Sequence, residues 1–352
     1  MMQKNMSAVL TAQQQIEIKE YPMPTVKENE VLLKVEYCGV CGSDVEFFNH
    51  GRIGTRIVNY PLILGHEAAG EIVALGEQVK NVTVGQKVVV EPGIPCGNCE
   101  FCRQGRYNLC VDMRFLSCPP NDGFFSQYVA LPAANVFPLP EGLTTLEGAL
   151  MEPLAVAVHA TNICNVCSPK TVVILGAGCI GLCTLLSCKQ RGASRVIVSD
   201  LFQNRLDLAK ELGADEIVNA SACDAVEKIL ELTGGMGADI VFETAGSKVT
   251  VGQTSFLVRV GGTIGIVGNV QGEVEFNFRN VSTREAQIKT TKRYCNDFQV
   301  CLDVVRNGGI PKDKLKKIVD KVFDLRDTHQ AFLTSITDKQ YITKIVIKVA
   351  ED

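Results

Sequence analysis

The chain has 352 residues, of which 46% are hydrophobic and 21% are charged, so it can bury a sizeable core and is neither a disordered chain nor a single small module. Its 35 basic and 39 acidic residues leave a net charge of -4, which lacks the basic excess that favours binding to nucleic acids or anionic membranes. A length near twice the typical domain of about 150 residues predicts two domains.

The N-terminal stretch from Met1 to Gln15 is polar and lacks the apolar core of about 7–15 residues that a secretion signal contains. No apolar run in the sequence approaches the about 20 residues of a membrane helix. We therefore expect a cytoplasmic protein without membrane or nucleic-acid partners. Fifteen cysteines, an odd count, then favour thiols and metal ligands over a disulfide scaffold.

The first part of the chain is rich in glycine, proline and short β-branched runs, such as 31–35 and 88–90. Turn residues separate these runs, and this sequence pattern is typical of antiparallel strands. We therefore predict a mostly β domain over residues 1–155.

One set of metal-binding side chains in this domain is mixed in chemistry. Cys41 is followed by His66 and Glu67, and Glu152 comes much later in the chain. A thiol, an imidazole and carboxylates from separated segments can supply three protein ligands and leave a fourth position for water or substrate. This arrangement is typical of a catalytic zinc site. The alternative is a core histidine with an unrelated cysteine nearby.

A second set consists of thiols alone, within fifteen residues of a Gly-rich loop: Cys96, Cys99, Cys102 and Cys110. Two-residue spacers let neighbouring thiolates converge on one tetrahedral Zn²⁺, and four thiolates leave no open position. The set therefore predicts a structural zinc. A nucleic-acid zinc ribbon is the other interpretation, but Arg103 and Arg106 make a poor phosphate-binding face.

From residue 171 the sequence alternates apolar strands, glycine turns and helical periods, the pattern of a doubly wound parallel α/β sheet, or Rossmann fold. The predicted buried strands are 172–175, 195–199, 216–218, 239–242 and 263–267. After about residue 280 we expect a helix at 298–306 and a closing strand at 341–349, without another βα repeat. The second domain is then 156–285, and 286–352 returns to complete the first.

A GxGxxG motif follows the first of these strands and opens a helix. Gly176 makes the tight turn, Gly178 lets the backbone approach a pyrophosphate, and Gly181 allows close helix–strand packing. Asp200 ends the next strand, where its carboxylate suits a free ribose 2′-hydroxyl and repels a 2′-phosphate, which predicts NAD over NADP. Arg205 is a candidate for adenosine contact or a solvated side chain.

Several longer segments carry a resemblance to a known family. Residues 65–79 read G-H-E-x2-G-x5-G-x2-V, the zinc signature of the medium-chain dehydrogenase/reductase superfamily. Within it, the segments 40–45, 49–54, 105–109, 151–154 and 293–296 resemble the sorbitol dehydrogenase (L-iditol 2-dehydrogenase) branch with its xylitol-oxidising relatives. The resemblance implies a GroES-like catalytic domain joined to the Rossmann domain.

For the metals, the resemblance implies two Zn²⁺ ions per chain. Cys41, His66 and Glu67 are then ligands of the catalytic zinc. Glu152 either binds this zinc directly or holds its water. Ser43 and Glu152 are the nearest candidates for moving the substrate's hydroxyl proton to solvent.

For the ligands, the resemblance implies three residues that line the dinucleotide: Ile180, Val267 and Gly268. It also implies residues at the substrate: Phe47, Phe115, Arg293 and Tyr294. Of these, Arg293 and Tyr294 contact either the substrate's hydroxyls or the cofactor in the family. Two positions depart from the family. Phe47 replaces a substrate-contacting tyrosine, and Glu46 replaces a neighbouring histidine, which puts the identity of the preferred polyol in question.

The expected function is zinc-dependent oxidation of a secondary alcohol of sorbitol, xylitol or L-iditol to the ketose, with hydride transfer to NAD, in a homo-oligomer (a tetramer or a dimer). One alternative is a threonine-type or other secondary-alcohol dehydrogenase of the same superfamily. The other is a non-catalytic, NAD-responsive zinc-binding structural protein, which would have no need of Cys41, His66, Glu67 and Glu152 together.

Overall fold

The chain divides into two units, seen here in a computed structural model that describes residues 4–350. The first unit contains the described residues up to Glu152, Phe298–Gly308 and the described residues from Val319 onward. The second contains Pro153–Asp297 and Gly309–Ile318. Residues 1–3 of the polar N-terminal stretch lie outside the described residues. As folding domains, the ranges 1–155, 156–285 and 286–352 stay a prediction.

The strands of the first unit are β1 Asn5–Ala12, β2 Gln15–Tyr21, β3 Glu30–Gly39, β4 Arg52–Ile53, β5 Arg56–Ile57, β6 Leu62–Ile63, β7 Glu67–Leu75, β8 Lys87–Val90, β9 Gly93–Ile94, β10 Arg114–Phe115, β11 Tyr128–Pro132 and β12 Val136–Pro138. Those of the second unit are β13 Thr171–Leu175, β14 Arg195–Asp200, β15 Glu216–Asn219, β16 Ala238–Glu243, β17 Val258–Ile266 and β18 Gln287–Thr290. The first unit is completed by β19 Lys321–Asp324 and β20 Ile345–Lys348.

The helices, in chain order, are α1 Gly42–His50, α2 Glu100–Arg103, α3 Thr145–Gly148, α4 Met151–Ile163, α5 Cys179–Gln190, α6 Gln203–Leu212, α7 Ala225–Leu232, α8 Lys248–Leu257, α9 Phe278–Thr283, α10 Phe298–Arg306, α11 Lys312–Lys316 and α12 Thr328–Thr337. Three short 3₁₀ turns are Tyr107–Leu109, Ala133–Asn135 and Leu325–Asp327. In the part of the chain that the structure describes, no helix combines the length and the apolar character that crossing a membrane requires.

The first unit is built on a sheet in the order β12-β8-β7-β3-β20-β19, with β11 also paired to β3. Apart from the parallel β19–β20 pair, these ladders are antiparallel, as the short β-branched runs separated by turn residues predict. A smaller sheet, β2-β1-β6, lies in the same unit. The core of the first unit contains a cluster of fully buried aromatic rings. The centroid of the Phe332 ring lies 5.1 Å from that of Phe48 and 5.9 Å from that of Phe125.

The second unit is built on a six-stranded parallel sheet in the order β15-β14-β13-β16-β17-β18. Its central strands are continuous apolar runs, and Val173, Ile197 and Val241 are fully buried in adjacent strands. Such runs are typical of parallel strands that are buried on both faces. The predicted α/β fold, with a Rossmann-type parallel sheet in one unit and a mostly β architecture in the other, is confirmed.

The prediction of no βα repeat after residue 280 is wrong. Helix α9 is followed by β18, a sixth parallel strand, and both belong to the second unit. The sequence gives little sign of β18, because Gln287–Thr290 contains a single large apolar residue, Ile288, and its side chains are largely exposed at the edge of the sheet. Helix α10 matches the predicted helix at 298–306, and the closing strand is shorter than predicted, at Ile345–Lys348.

Candidate functional site: two metal centres and a dinucleotide turn

The mixed set of donors in the first unit converges through the register of one strand pair. Gly39, the last residue of β3, lies opposite Glu67, the first residue of β7. Two residues beyond Gly39, Cys41 forms the N-cap of α1, and His66 directly precedes β7. A sulfur of Cys41, a ring nitrogen of His66 and a carboxylate oxygen of Glu67 therefore lie within 4.8 Å of one another and could hold a metal ion.

Asp44 is a buried member of this site that the sequence analysis missed. Its Oδ1 accepts a hydrogen bond of 2.7 Å from Ser117 and lies 3.3 Å from Nδ1 of His66, and its Oδ2 accepts one of 3.2 Å from the Cys41 N–H. With Nδ1 occupied by the carboxylate, Nε2 is the ring nitrogen left for an ion. A usable signal was present, because Asp44 is the third residue of α1, where an acid closes a capping box.

Electrostatics make this site suitable for a cation. Burial alone would raise the pKa of the Asp44 carboxyl. The His66 ring, together with the hydrogen bonds that the carboxylate accepts from Ser117 and the Cys41 N–H, lowers that pKa below its usual value. Burial alone would lower the pKa of His66, yet Asp44 and Cys41 raise it well above its usual value. The imidazole is therefore surrounded by groups that favour positive charge, as a metal pocket requires.

The other residues predicted around this centre are placed as follows. Glu152 lies in the first turn of α4 and is buried, but among the described residues the group with metal-binding spacing does not include it. Phe115 is buried, with its ring edge-on to His66 at a centroid distance of 5.4 Å. Phe47 is buried in the apolar core, and Ser43 is half-buried in the first turn of α1.

The four thiols of the second set converge as their spacing predicts. One sulfur from each of Cys96, Cys99, Cys102 and Cys110 lies within 4.8 Å of the others. Helix α2 starts immediately after Cys99 and brings Cys102 back to it, with 3.5 Å between their sulfurs. The Cys96 N–H donates a hydrogen bond of 3.3 Å to the sulfur of Cys110, and the Cys99 N–H donates one of 3.4 Å to the sulfur of Cys96.

The acidities of these thiols differ because their surroundings differ. Backbone N–H groups of Cys102 and Val111 lower the pKa of Cys99 to about 6. Burial and the neighbouring thiols raise the pKa of Cys102 to about 12. A fourfold thiolate cluster is therefore unfavourable without a cation, and the donor set fits a closed, tetrahedral zinc site.

The glycine turn of the second unit has the geometry that a dinucleotide site requires. Gly176 follows β13 with a φ of +110°, a value that L-residues other than glycine rarely adopt. A Cβ on Gly181 would collide with the carbonyl of Gly176, so only glycine fits at this position in the first turn of α5. Gly178 caps α5 and faces open space, where a pyrophosphate could approach its backbone.

Asp200 ends β14 beside this turn. Its Oδ2 accepts a hydrogen bond of 2.6 Å from the Ala177 N–H, and its Oδ1 accepts one of 3.0 Å from the Phe202 N–H. The carboxylate is thus held at the turn by backbone donors. Arg205 is half-buried, with its guanidinium carbon 5.3 Å from the centroid of the Phe202 ring.

The remaining predicted contacts lie in helix α5 and in the segments that follow β17 and β18. Val267 and Gly268 follow β17 and donate their N–H groups to the Glu243 carbonyl at 2.9 and 3.0 Å. Ile180 is half-buried in the first turn of α5. Arg293 has a φ of +56° and Tyr294 is buried, both after β18. The structure leaves the roles of these residues as predictions.

Comparison with known proteins supports this picture along nearly the whole chain. Residues 27–141 match the alcohol dehydrogenase GroES-like domain, and residues 179–307 match the zinc-binding dehydrogenase domain. Sorbitol dehydrogenase of Bacillus subtilis strain 168 is 38% identical over 97% of this chain and 96% of its own. The resemblance to the sorbitol dehydrogenase branch is thereby confirmed.

Two solved structures show the same fold. A crystal structure from Escherichia coli, described as an oxidoreductase/dehydrogenase of unknown specificity involved in membrane biogenesis, is 42% identical, with a TM-score of 0.95 over 99% of this chain and 100% of its own. A putative zinc-binding dehydrogenase from Sinorhizobium meliloti 1021, bound to NADP, is 30% identical, with a TM-score of 0.89 over 98% of this chain and 99% of its own.

Proposed function

We propose, since this chain belongs to the zinc-binding dehydrogenase family, that it oxidises a secondary alcohol of a polyol such as sorbitol, xylitol or L-iditol to the ketose and passes the hydride to NAD. The observation that carries this proposal is the convergence of the half-buried Cys41 with the buried His66 and Glu67, which combines one sulfur, one nitrogen and one oxygen donor. Three ligands of this kind leave a position for the substrate's hydroxyl.

In this proposal the zinc-binding residues are Cys41, His66 and Glu67 for the catalytic ion and the four thiols of the lobe for a structural ion. Zinc at the first site supplies Lewis acidity, which makes a bound hydroxyl easier to deprotonate. Asp44 orients His66 and leaves its Nε2 for the metal. Ser43 and Glu152 move the hydroxyl proton towards solvent, and Phe115 helps to exclude water beside His66.

Support for the polyol comes from the relatives. The similar enzyme of Bacillus subtilis is a sorbitol dehydrogenase. Arg293 and Tyr294 are the proposed partners of the polyol hydroxyls, and Phe47 and Phe115 are proposed to line the pocket. The test is reduction of NAD by the purified zinc-loaded protein with sorbitol, xylitol, L-iditol and threonine side by side. Turnover with threonine alone would favour the threonine-type alternative, and turnover with none of them would contradict the proposal.

NAD is the proposed cofactor, although a similar dehydrogenase binds NADP. The support is the Asp200 carboxylate, which backbone N–H groups hold beside the glycine turn, where it would repel a 2′-phosphate. Gly176, Gly178, Gly181, Ile180, Val267 and Gly268 are the proposed lining of this cofactor, with Arg205 near the adenosine.

Replacing Asp200 with alanine and the exposed Leu201 with arginine is expected to raise kcat/KM for NADP at least about tenfold relative to NAD. The first change removes the repelling charge and the second supplies a phosphate partner, effects worth about 1–3 kcal/mol together. Leu201→Arg alone is the matched control, because it adds the base and keeps the carboxylate. Equal use of NAD and NADP by the unaltered protein would contradict the assignment.

Glu152→Gln is expected to lower kcat by about 10²-fold, because the amide keeps the shape of the carboxylate but cannot accept a proton. The zinc content is expected to stay unchanged. Steady-state kinetics and metal analysis of the same preparation give both quantities. Loss of one zinc would make Glu152 a ligand, and an unchanged kcat would remove it from the reaction.

A homo-oligomer is the proposed assembly. Strand β18 is the last strand of its sheet and pairs only with β17 among the described strands. Large apolar side chains are exposed on these strands and on α9: Val260 at 72%, Phe278 at 68% and Ile288 at 43%. Exposed edges of this kind favour pairing with a second copy. A monomer mass in light scattering would contradict the proposal.

The cytoplasm is the proposed location. No disulfide joins any of the fifteen cysteines, which all lie within the described residues 4–350 and include the clustered thiols of the lobe. Free thiols persist in reducing compartments, whereas oxidising ones favour disulfides. Fractionation of cells that express the tagged protein tests the location, and recovery from an oxidising compartment would contradict it.

A further inference from the structure

Lys344 is the one buried lysine or arginine in the part of the chain that the structure describes, with 3% of its surface exposed. Its ammonium contacts Oε2 of Glu67, which is 1% exposed, and donates a hydrogen bond of 3.1 Å to the Val40 carbonyl. A buried ammonium is costly unless it is paired and hydrogen-bonded. The pairing partner here is a member of the candidate metal group.

The fold fixes the lysine at this place from two sides. Lys344 directly precedes β20, which pairs with the end of β3. The backbone N–H of Lys344 donates a hydrogen bond of 2.8 Å to the carboxylate of Asp320. Gly39 is needed for the approach: a Cβ there would collide with Oε2 of Glu67 and lie 2.9 Å from Cε of Lys344. Gly39 at the end of β3 and Lys344 directly before β20 therefore both lie against the carboxylate of Glu67.

The charges around the metal group follow a pattern. One buried carboxylate, Glu67, belongs to the group, and another, Asp44, lies beside it. Each has its own cationic partner, since Glu67 contacts Lys344 and Asp44 contacts His66. The Asp44 contact fixes which nitrogen of His66 can reach an ion. By the same geometry, the Lys344 contact engages one oxygen of Glu67 and restricts the rotation of its carboxylate.

We propose that Lys344 is a positioning residue of the catalytic metal centre, which holds the Glu67 carboxylate in the orientation that binds the ion. The inference rests on the proposed function only in taking the ion to be zinc. Lys344 touches neither substrate nor cofactor in this account. Without its ammonium, Glu67 rotates away from Cys41 and His66, and the ion is held mainly by two ligands.

The test is the zinc affinity of Lys344→Met, measured by competition with a chromophoric chelator. Partners of metal ligands typically contribute about 10–100-fold to metal affinity, so the variant is expected to bind one of its two zinc ions that much more weakly. Replacing zinc with Co²⁺ identifies the affected site, because four thiolates and a single thiolate give different absorption. Lys321→Met is the matched control, since this lysine, on the adjacent strand β19, is about half exposed.

A second pair of variants shows whether Lys344 acts through Glu67. Glu67→Gln is expected to lower the zinc affinity of the same site. Adding Lys344→Met to Glu67→Gln is expected to lower that affinity further by less than about twofold. If Lys344→Met alone does not fold, circular dichroism of the double variant decides, because removing both charges is expected to restore the fold. Unchanged zinc affinity in folded Lys344→Met, additive losses, or a double variant that also fails to fold would overturn the inference.

The zinc-affinity test of Lys344 can succeed or fail independently of the test for polyol oxidation. A loss of zinc affinity in Lys344→Met, together with no polyol oxidation by the unaltered protein, would support the positioning role and contradict the polyol proposal. The reverse result, with polyol oxidation and an unaffected zinc site, would overturn the positioning role alone.

Discussion

His66→Ala is expected to lower kcat/KM for the polyol by about 10³-fold or more. The proposed zinc loses a ligand, and metal stabilisation of the developing charge is worth several kcal/mol, each about 1.4 kcal/mol being a factor of ten. The affinity for NADH, measured by fluorescence titration, is expected to be unchanged, because the dinucleotide turn lies in the other unit. Kinetics with saturating NAD and metal analysis complete the measurement.

A matched control separates the loss of a metal ligand from the loss of a buried histidine–aspartate pair. His159 contacts the buried Asp297 at 2.9 Å, much as His66 contacts Asp44, but it lies outside the metal group. His159→Ala is expected to lower stability while keeping the full zinc content. Near-normal turnover by His66→Ala, with zinc retained, would show that the catalytic centre is assigned wrongly.

Cys99→Ser is expected to lower the zinc content by one ion per chain and the free energy of unfolding by about 4 kcal/mol or more. In the proposed structural site four sulfurs close the lobe, so a zinc bound there would contribute folding energy directly, and loss of a metal is among the few single changes with effects this large. The exposed Cys167 provides the control, because Cys167→Ser removes a thiol without touching the lobe.

Denaturant unfolding and metal analysis measure both effects. A variant that keeps two zinc ions and the same unfolding midpoint would show that the four thiols do not form the structural site. We expect any Cys99→Ser protein that is still folded to retain some polyol oxidation, since the proposed catalytic group of Cys41, His66 and Glu67 is separate from the four thiols.

Much of the fold was predictable because its signals are local. The run before Gly176, the glycine turn and the acid at Asp200 lie within one βαβ unit, so their spacing alone predicts the geometry that the structure shows. The four thiols of the lobe are equally close in sequence. Strand β18 was missed because it lies at a sheet edge, where exposure replaces the continuous apolar run with polar residues.

The surroundings of the proposed catalytic group were harder to predict, because they depend on contacts between distant segments. Asp44 is held by Ser117, and Glu67 contacts Lys344 from the far end of the chain. Spacing along the sequence carries no information about such pairs. It also could not rank Glu67 and Glu152 as ligands, whereas the strand register places Glu67 beside Cys41 and His66.

The most direct test of the central claim follows the hydride itself. The zinc-loaded protein is incubated with NAD and a polyol that carries deuterium on its secondary carbinol carbons, and the NADH and sugar are analysed by mass spectrometry. The account predicts one deuterium in each NADH and an equal amount of ketose, since the carbinol hydrogen moves to the nicotinamide as hydride. NADH without deuterium, or an aldose in place of the ketose, would contradict it.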